Sequence, residues 1–435
     1  MTGRSNRGWR QSVLGTLLGV AAGGLLAGTA WAQSTLTVGY MKHPIQEANL
    51  AMMEAWAGKN GVKLTKVPMA YDVFNQKVLS SISTAGAQFD LVWHNDDWGQ
   101  VWEPWVTPTD DVAGMDQVAK SPLEAFVNRD GKVTVVPMVH TVGTFFYRTD
   151  LLSEAEVPKT LADIVTVSKR LQADGKVKWG YVGGMKMNHT WFSLWWSTWA
   201  NQCDIFLPIY ERDNKKLTEA GWKPAIAEPC HREVVEYWWD AINTHKISPP
   251  GMTAYGRDEA NAIFMAGEAA FTLVDSTHFA DFNNPQKSKI AGKVGMARFP
   301  LGPRRQEPMA WNEIWGWAIP KDVPEERKKV AKAMLGAMLT DLEGQVRQWE
   351  QTGGPPPNVK AWALIADKDP VFKKLKEVVF DVTPPTHAAY YFPAWPAVHK
   401  AYSDTAIKAL TGKREDIPKV LEEGIRTVHA AATGR

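Results

Sequence analysis

The chain has 435 residues, 45% of them hydrophobic, with 49 basic side chains against 47 acidic ones. That charge balance gives no basis for binding nucleic acid or an anionic membrane surface, and the length exceeds what one hydrophobic core usually holds, which predicts two lobes. The unusual feature is 21 tryptophans, several of them beside carboxylates or histidines.

Arg4, Arg7 and Arg10 precede an apolar, Gly-rich run from Val13 to Ala30, and Ala30-Trp31-Ala32 places small residues before Gln33. This is the pattern of a cleaved secretory signal over residues 1–32 and implies a periplasmic destination, a retained membrane anchor being the alternative. Cleavage would leave 46 basic and 47 acidic residues. No cysteine follows the apolar run, which argues against a lipid anchor. The two cysteines, Cys203 and Cys230, fall in the exported part, where a pair reads most simply as a disulfide.

Past residue 33 the pattern alternates strand and helix. Thr35 to Gly39 is β-rich, Pro44 suits a first helical turn, and Ala48 to Trp56 reads as helix. Val62 to Val67 is a second strand. Phe74, Val78 and Ile82 recur every four residues and mark an amphipathic helix, before an apolar strand from Phe89 to Trp93. Val133 to Val139 and Gly143 to Tyr147 read as two further strands, and Pro158 to Leu171 as a helix. Between Trp191 and Trp239 both ends are helical around a polar middle. Ala260 to Ala266 is helical, Ala270 to Val274 a buried strand, Pro300 to Pro308 a loop, and Ile314 to Ile319 a strand stopped by Pro320. Pro324 to Leu342 reads as one long helix, Gly353 to Pro357 as a rigid break, and three helical stretches finish the chain. Alternating strands and helices predict a parallel, doubly wound α/β sheet, whose ligands sit outside the carboxyl ends of strands.

His43, past the first strand, and the segment Trp93, His94, Asn95, Asp96 and Asp97, past the third, fall at such ends. Further candidates are Thr141, Trp191, Asp275, His278, Trp311, Glu313, Trp315 and Trp395. An exposed Trp face can stack on the C–H face of a sugar ring while carboxylates accept hydrogen bonds from its hydroxyls. The same set could cage a quaternary ammonium through cation–π attraction. Mixed donor-acceptors such as His43, Asn95, Thr141 and His278 favour a neutral polyol. There is no nucleophile elbow, no zinc-protease helix, no phosphate loop and no dinucleotide fingerprint, and the histidines lack metal-ligand spacing, so neither metal nor cofactor is expected. An exported carbohydrate-active enzyme remains an alternative, since Asp97 with Asp275 or Glu313 could supply a carboxylate pair.

Five segments in order resemble the extracellular solute-binding proteins of bacterial ABC transporters, the maltose-binding-protein-like family. Phe89 to Asp97 is similar to the strand that ends in an aromatic and a ligand-binding Asp. Val136-Pro137-Met138 through Phe146-Tyr147-Arg148-Thr149-Asp150 is similar to the family's lobe crossing, and Pro158-Lys159-Thr160-Leu161 to a helix start. Phe264-Met265-Ala266-Gly267-Glu268-Ala269-Ala270-Phe271 and Gly316-Trp317-Ala318-Ile319-Pro320 resemble a helix–strand unit and the returning strand. The resemblance implies a two-lobed periplasmic-binding-protein fold of type II, with doubly wound sheets joined by strand crossings. It implies lobe one from 33–138 and 296–322, and lobe two from 141–292 and 325–435. It also implies a monomeric receptor, without catalysis, that delivers a small sugar or polyol to ABC permease subunits in the inner membrane. Within it Asp97 is the hydroxyl acceptor, and Trp191 and Trp395 are stacking aromatics. Thr141 replaces an acidic residue, and Asp275-Ser276-Thr277-His278 stands where the family often has a Trp.

Overall fold

The computed structural model describes residues 34–434 except 85, 87, 129, 188, 208–222, 311 and 381–393. Residues 1–32, where the secretory signal is expected, lie outside it. Ten strands follow in chain order: β1 (Thr35–Met41), β2 (Lys63–Met69), β3 (Leu91–Asn95), β4 (Val136–Arg148), β5 (Trp179–Val182), β6 (Phe206–Leu207), β7 (Lys223–Pro224), β8 (Ala269–Asp275), β9 (Val294–Ala297) and β10 (Asn312–Ala318). The main sheet runs β2-β1-β3-β10-β4-β8-β5, with β9 also paired to β4.

The expected parallel pairing is found for β1 with β2, β1 with β3, and β5 with β8. Around the crossings the pairing is instead antiparallel: β10 with β3 and with β4, and β4 with β8 and with β9. The sheet is therefore mixed. A strand that returns from the far half of the molecule runs against the strand that left for it, whereas strands linked by a helix run alongside.

The segments 133–139 and 143–147, expected as separate strands, are one 13-residue strand buried along its whole length. Gly143 does not break it. A Cβ there would lie 2.6 Å from the Trp196 ring, so the glycine allows close approach of a tryptophan rather than a turn. The first half of β4 pairs with β10 and the second half with β8 and β9.

Buried apolar side chains form two clusters along this strand. One includes Leu36, Met53, Phe74, Trp93, Val139, Trp317 and Leu339; the other includes Phe145, Trp195, Trp238, Phe271, Phe299 and Tyr402. Their membership departs from the expected lobe boundaries twice. Met296, Phe299 and Met309 belong to the second cluster, because β9 is hydrogen-bonded to the second half of β4. Val323 to Leu339 belong to the first, because the helix Glu325–Thr340 packs on the helix Pro44–Lys59.

Local chemistry explains most helix ends. His43 caps the helix Pro44–Lys59, its Nδ1 accepting from the Ile45 N–H, and Pro44 takes the position where an N–H would be orphaned. That helix continues past Gly58, and the turn comes at Gly61, with φ of 67°. Asp341 breaks the expected single helix 324–342: its carboxylate accepts from Gly344 N–H at 2.9 Å and starts a new helix, Leu342–Thr352. Among the described residues after Pro357 there are four α-helices rather than three, at 359–366, 370–375, 395–411 and 417–433, since Asp369 caps an additional one at Pro370. A disulfide joins Cys203 and Cys230, tying the end of the helix Leu194–Ala200 to the start of the helix Pro229–Asn243. Among the described residues no helix is long and apolar enough to cross a membrane.

Candidate functional site

The ends of β1, β3 and β8, together with the start of β10, bring one set of polar side chains together. His43 follows β1, Asp97 follows β3, Asp275 ends β8, and His278 lies in the turn just after it. Glu313 and Trp315 are two apart on β10 and therefore share a face. The His43 ring meets the Trp315 ring edge-on at 5.3 Å, and the Trp315 indole Nε1 donates to Glu313 Oε1 at 3.0 Å. On the side of the second cluster, Asp275 Oδ1 accepts from the Thr277 hydroxyl, and its Oδ2 lies 3.5 Å from His278 Nε2 and 3.9 Å from Arg257 Nη1.

Charge couples the two sides. Burial lowers His43 to about 4, with Asp275 opposing that shift and Arg257 and His278 adding to it. Burial, then Asp275 and Asp97, pushes Glu313 up to about 8, against the pull of the Trp315 N–H and of Arg257. Burial also works to raise Asp275, but His278, then Arg257 and Thr277, outweigh it and hold this carboxyl below the usual range. Two interacting carboxyls thus divide their roles: Asp275 remains an acceptor while Glu313 keeps a proton and can donate.

Tyr71 completes this arrangement. It is 42% exposed, yet its hydroxyl is held far above its ordinary range, first by desolvation and then by Asp97, Glu313 and Asp96. Its ring lies 6.3 Å from Trp93 and 6.0 Å from Trp98.

Other expected site residues sit elsewhere. His94 is 1% exposed and packs against Trp102 and Phe126 in the first core; its burial lowers it to about 3. Neighbouring residues of a strand take opposite faces, so Trp93 and His94 cannot both reach one cleft. Trp93 itself is 1% exposed, wedged among Phe74, Trp98 and Trp315. Asp96 is fully buried, and its Oδ2 accepts from Ile314 N–H at 2.9 Å, holding β3 to β10. Thr141 is fully buried with its hydroxyl donated to the Glu313 carbonyl at 2.9 Å, a bond between crossing strands. Trp395 is buried between Trp195 and His399, with ring distances of 4.9 and 5.1 Å. Trp191 lies in the turn Thr190–Phe192, but its side chain, like all of Trp311, falls outside the described residues.

Arg257 and Tyr71 escaped the sequence reading. Arg257 had a usable signal: it opens the helix Arg257–Met265, where the helix dipole disfavours a cation. Its backbone N–H donates to His189 Nδ1 at 3.1 Å, which anchors it near Asp275. Tyr71 opens the helix Tyr71–Ile82 and carries no distinguishing neighbour in sequence.

Residues 51–378 match the family described as bacterial extracellular solute-binding protein. A probable ABC transporter-binding protein of Deinococcus radiodurans is 26% identical over 344 residues, covering 75% of this chain and 76% of that one. A mannitol-binding protein of Pseudomonas aeruginosa is 20% identical, covering 69% of this chain and 67% of its own length. Among solved structures, maltose-bound MalE3 of T. maritima superimposes with a TM-score of 0.74 at 21% identity, over 90% of this chain and 99% of that one. A solute-binding protein of Agrobacterium vitis with bound D-mannitol gives 0.71 at 19% identity, over 92% and 99%. With three quarters of its length matched and the same two-lobed fold, this chain belongs to the bacterial extracellular solute-binding protein family.

Proposed function

We infer that this chain is the soluble receptor of an ABC importer, capturing a small neutral sugar or polyol between its lobes and presenting it to permease subunits in the membrane. The observation that carries this reading is the register along β4, which sets first-core Glu313 opposite Thr141 and second-core Asp275 opposite Gly143, so that both halves place polar side chains at one point beside Trp315 and Arg257. A ligand placed among them would touch both halves at once. It would then bind the closed arrangement better than an open one, which is all that a population shift requires.

The donor and acceptor set suits hydroxyls. Asp97 and Asp275 accept, a protonated Glu313 and Arg257 donate, and the Tyr71 and Trp315 rings offer apolar faces. Similar proteins bind maltose, tagatose, ribitol and mannitol, which supports the same class. In this reading the receptor works as a monomer in the periplasm after removal of residues 1–32, and the carboxyls bind rather than cleave. Thermal-shift screening against alditols, mono- and disaccharides and choline-type cations tests it. Stabilisation by an alditol or sugar, recovered unchanged after incubation, is expected. Stabilisation by quaternary ammonium compounds alone would overturn it, and turnover of a stabilising sugar would make the protein an enzyme.

A further inference from the structure

We propose that Arg257 sets the charge selectivity of the cleft, standing as a built-in cation against Asp275 and so reserving the site for neutral polyhydroxylated ligands. This rests on the sugar or polyol reading above. Without Arg257 the site would combine the carboxylates of Asp97 and Asp275 with the aromatic rings of Tyr71 and Trp315, a composition that attracts ammonium groups.

Arg257 changes that balance from a fixed position. Its side chain is 33% exposed, and Nη1 lies 3.9 Å from Asp275 Oδ2. Its main chain is held by His189 Nδ1. Nε lies 3.6 Å from Asp258 Oδ1 and makes no hydrogen bond; Asp258 is 90% exposed, so that pairing is weak and solvent-screened. A buried N–H donor without a partner is costly, and a ligand oxygen would satisfy it. An ammonium group offers it no acceptor. The guanidinium also acts on groups from both halves, namely His43, Tyr71 and Glu313 on one side and Asp275 and His189 on the other. A cationic ligand reaching for Asp275 would therefore meet a fixed like charge already beside it, and a carboxylate-bearing one would meet Asp97 and Asp275. Discrimination of this kind works through repulsion of the wrong ligand as much as attraction of the right one.

The test compares D-glucitol with 1-amino-1-deoxy-D-glucitol, the same skeleton with one hydroxyl replaced by an ammonium group, by calorimetry at pH 7. Wild type is expected to bind the amine at least about tenfold more weakly than the alditol, and Arg257→Gln to shift that ratio at least about tenfold toward the amine. Arg257→Lys should keep the wild-type ratio. Equal binding of the two compounds by wild type overturns the inference without needing a variant. So does an unchanged ratio in an Arg257→Gln protein with a wild-type circular dichroism spectrum. If wild type binds neither glucitol nor any other neutral alditol or sugar, the functional reading falls and takes this inference with it.

Discussion

The Trp315 indole N–H and the Glu313 carboxyl, two residues apart on the same face of β10, are joined by a 3.0 Å hydrogen bond. This bond stabilises the anion, yet burial and the neighbouring Asp275 and Asp97 still leave Glu313 raised to about 8. The native state therefore holds a proton that the unfolded chain releases at lower pH. Stability contributed by this group falls as pH rises from the ordinary carboxyl range through about 8. Thermal melts of ligand-free wild type and Glu313→Gln at closely spaced pH values are expected to diverge, wild type losing more between pH 6.5 and 8.5. Parallel curves would mean that Glu313 ionises without cost.

Five histidines act in the opposite sense. Burial lowers His43, His189, His231 and His399 to about 4 and His94 to about 3. The unfolded chain binds protons at these rings below about pH 6.5 while the native state does not, so stability is lost as pH falls from there toward the native values. The melting temperature is expected to drop steeply between pH 6.5 and 4.5. A flat profile over that range would mean that the rings can be protonated in place.

Asp97 and Trp395 should part company on mutation. Asp97 joins the cluster that acts on Tyr71 and Glu313, so Asp97→Ala is expected to weaken sugar or polyol binding at least about tenfold with little change in melting temperature. Trp395 is 3% exposed in the second core, so Trp395→Ala is expected to cost about 3–5 kcal/mol of stability. Calorimetric titration and denaturant unfolding of both variants check this. A Trp395→Ala protein of unaltered stability but lost affinity would return that ring to the binding surface.

The disulfide offers a separate measurement. It spans 27 positions in sequence, and the chain-entropy model gives roughly 3–4 kcal/mol for a loop of that size. Cys203→Ser with Cys230→Ser should lower unfolding free energy by about that amount, read from urea titrations. No loss would indicate that the link contributes nothing beyond the contacts around it.

Much of the strand and helix order was legible because apolar runs and helix caps are local signals. The antiparallel return of β10 was not, since its partners on β3, such as Val92 for Ala318 and Asn95 for Trp315, lie more than half the chain away and no local pattern encodes them. The segments 133–139 and 143–147 were not joined across His140, Thr141 and Val142, because the polar pair between them finds its partners only in the fold, Thr141 on the Glu313 carbonyl. At the site, position after a strand end pointed to His43 and Asp97, while Glu313 stood out through the tryptophans that bracket it. The same rule could not tell Asp97 from Asp96, whose carboxylate is committed to the Ile314 N–H. It also passed over Arg257, which is recognised only once the fold sets it against Asp275.

The first hydrophobic cluster closes with residues from Leu36 to Val139 and again from Ile314 to Leu339. Asn49 alone reaches Trp317 and Gln348, across 268 and 299 positions. A chain made from its amino terminus must therefore keep its leading third open until almost four fifths of it exists. Contacts of such long range slow folding and expose unfinished surface. The interleaving that joins the two halves also makes this polypeptide late to fold, a property well matched to a family whose members work outside the compartment of their synthesis.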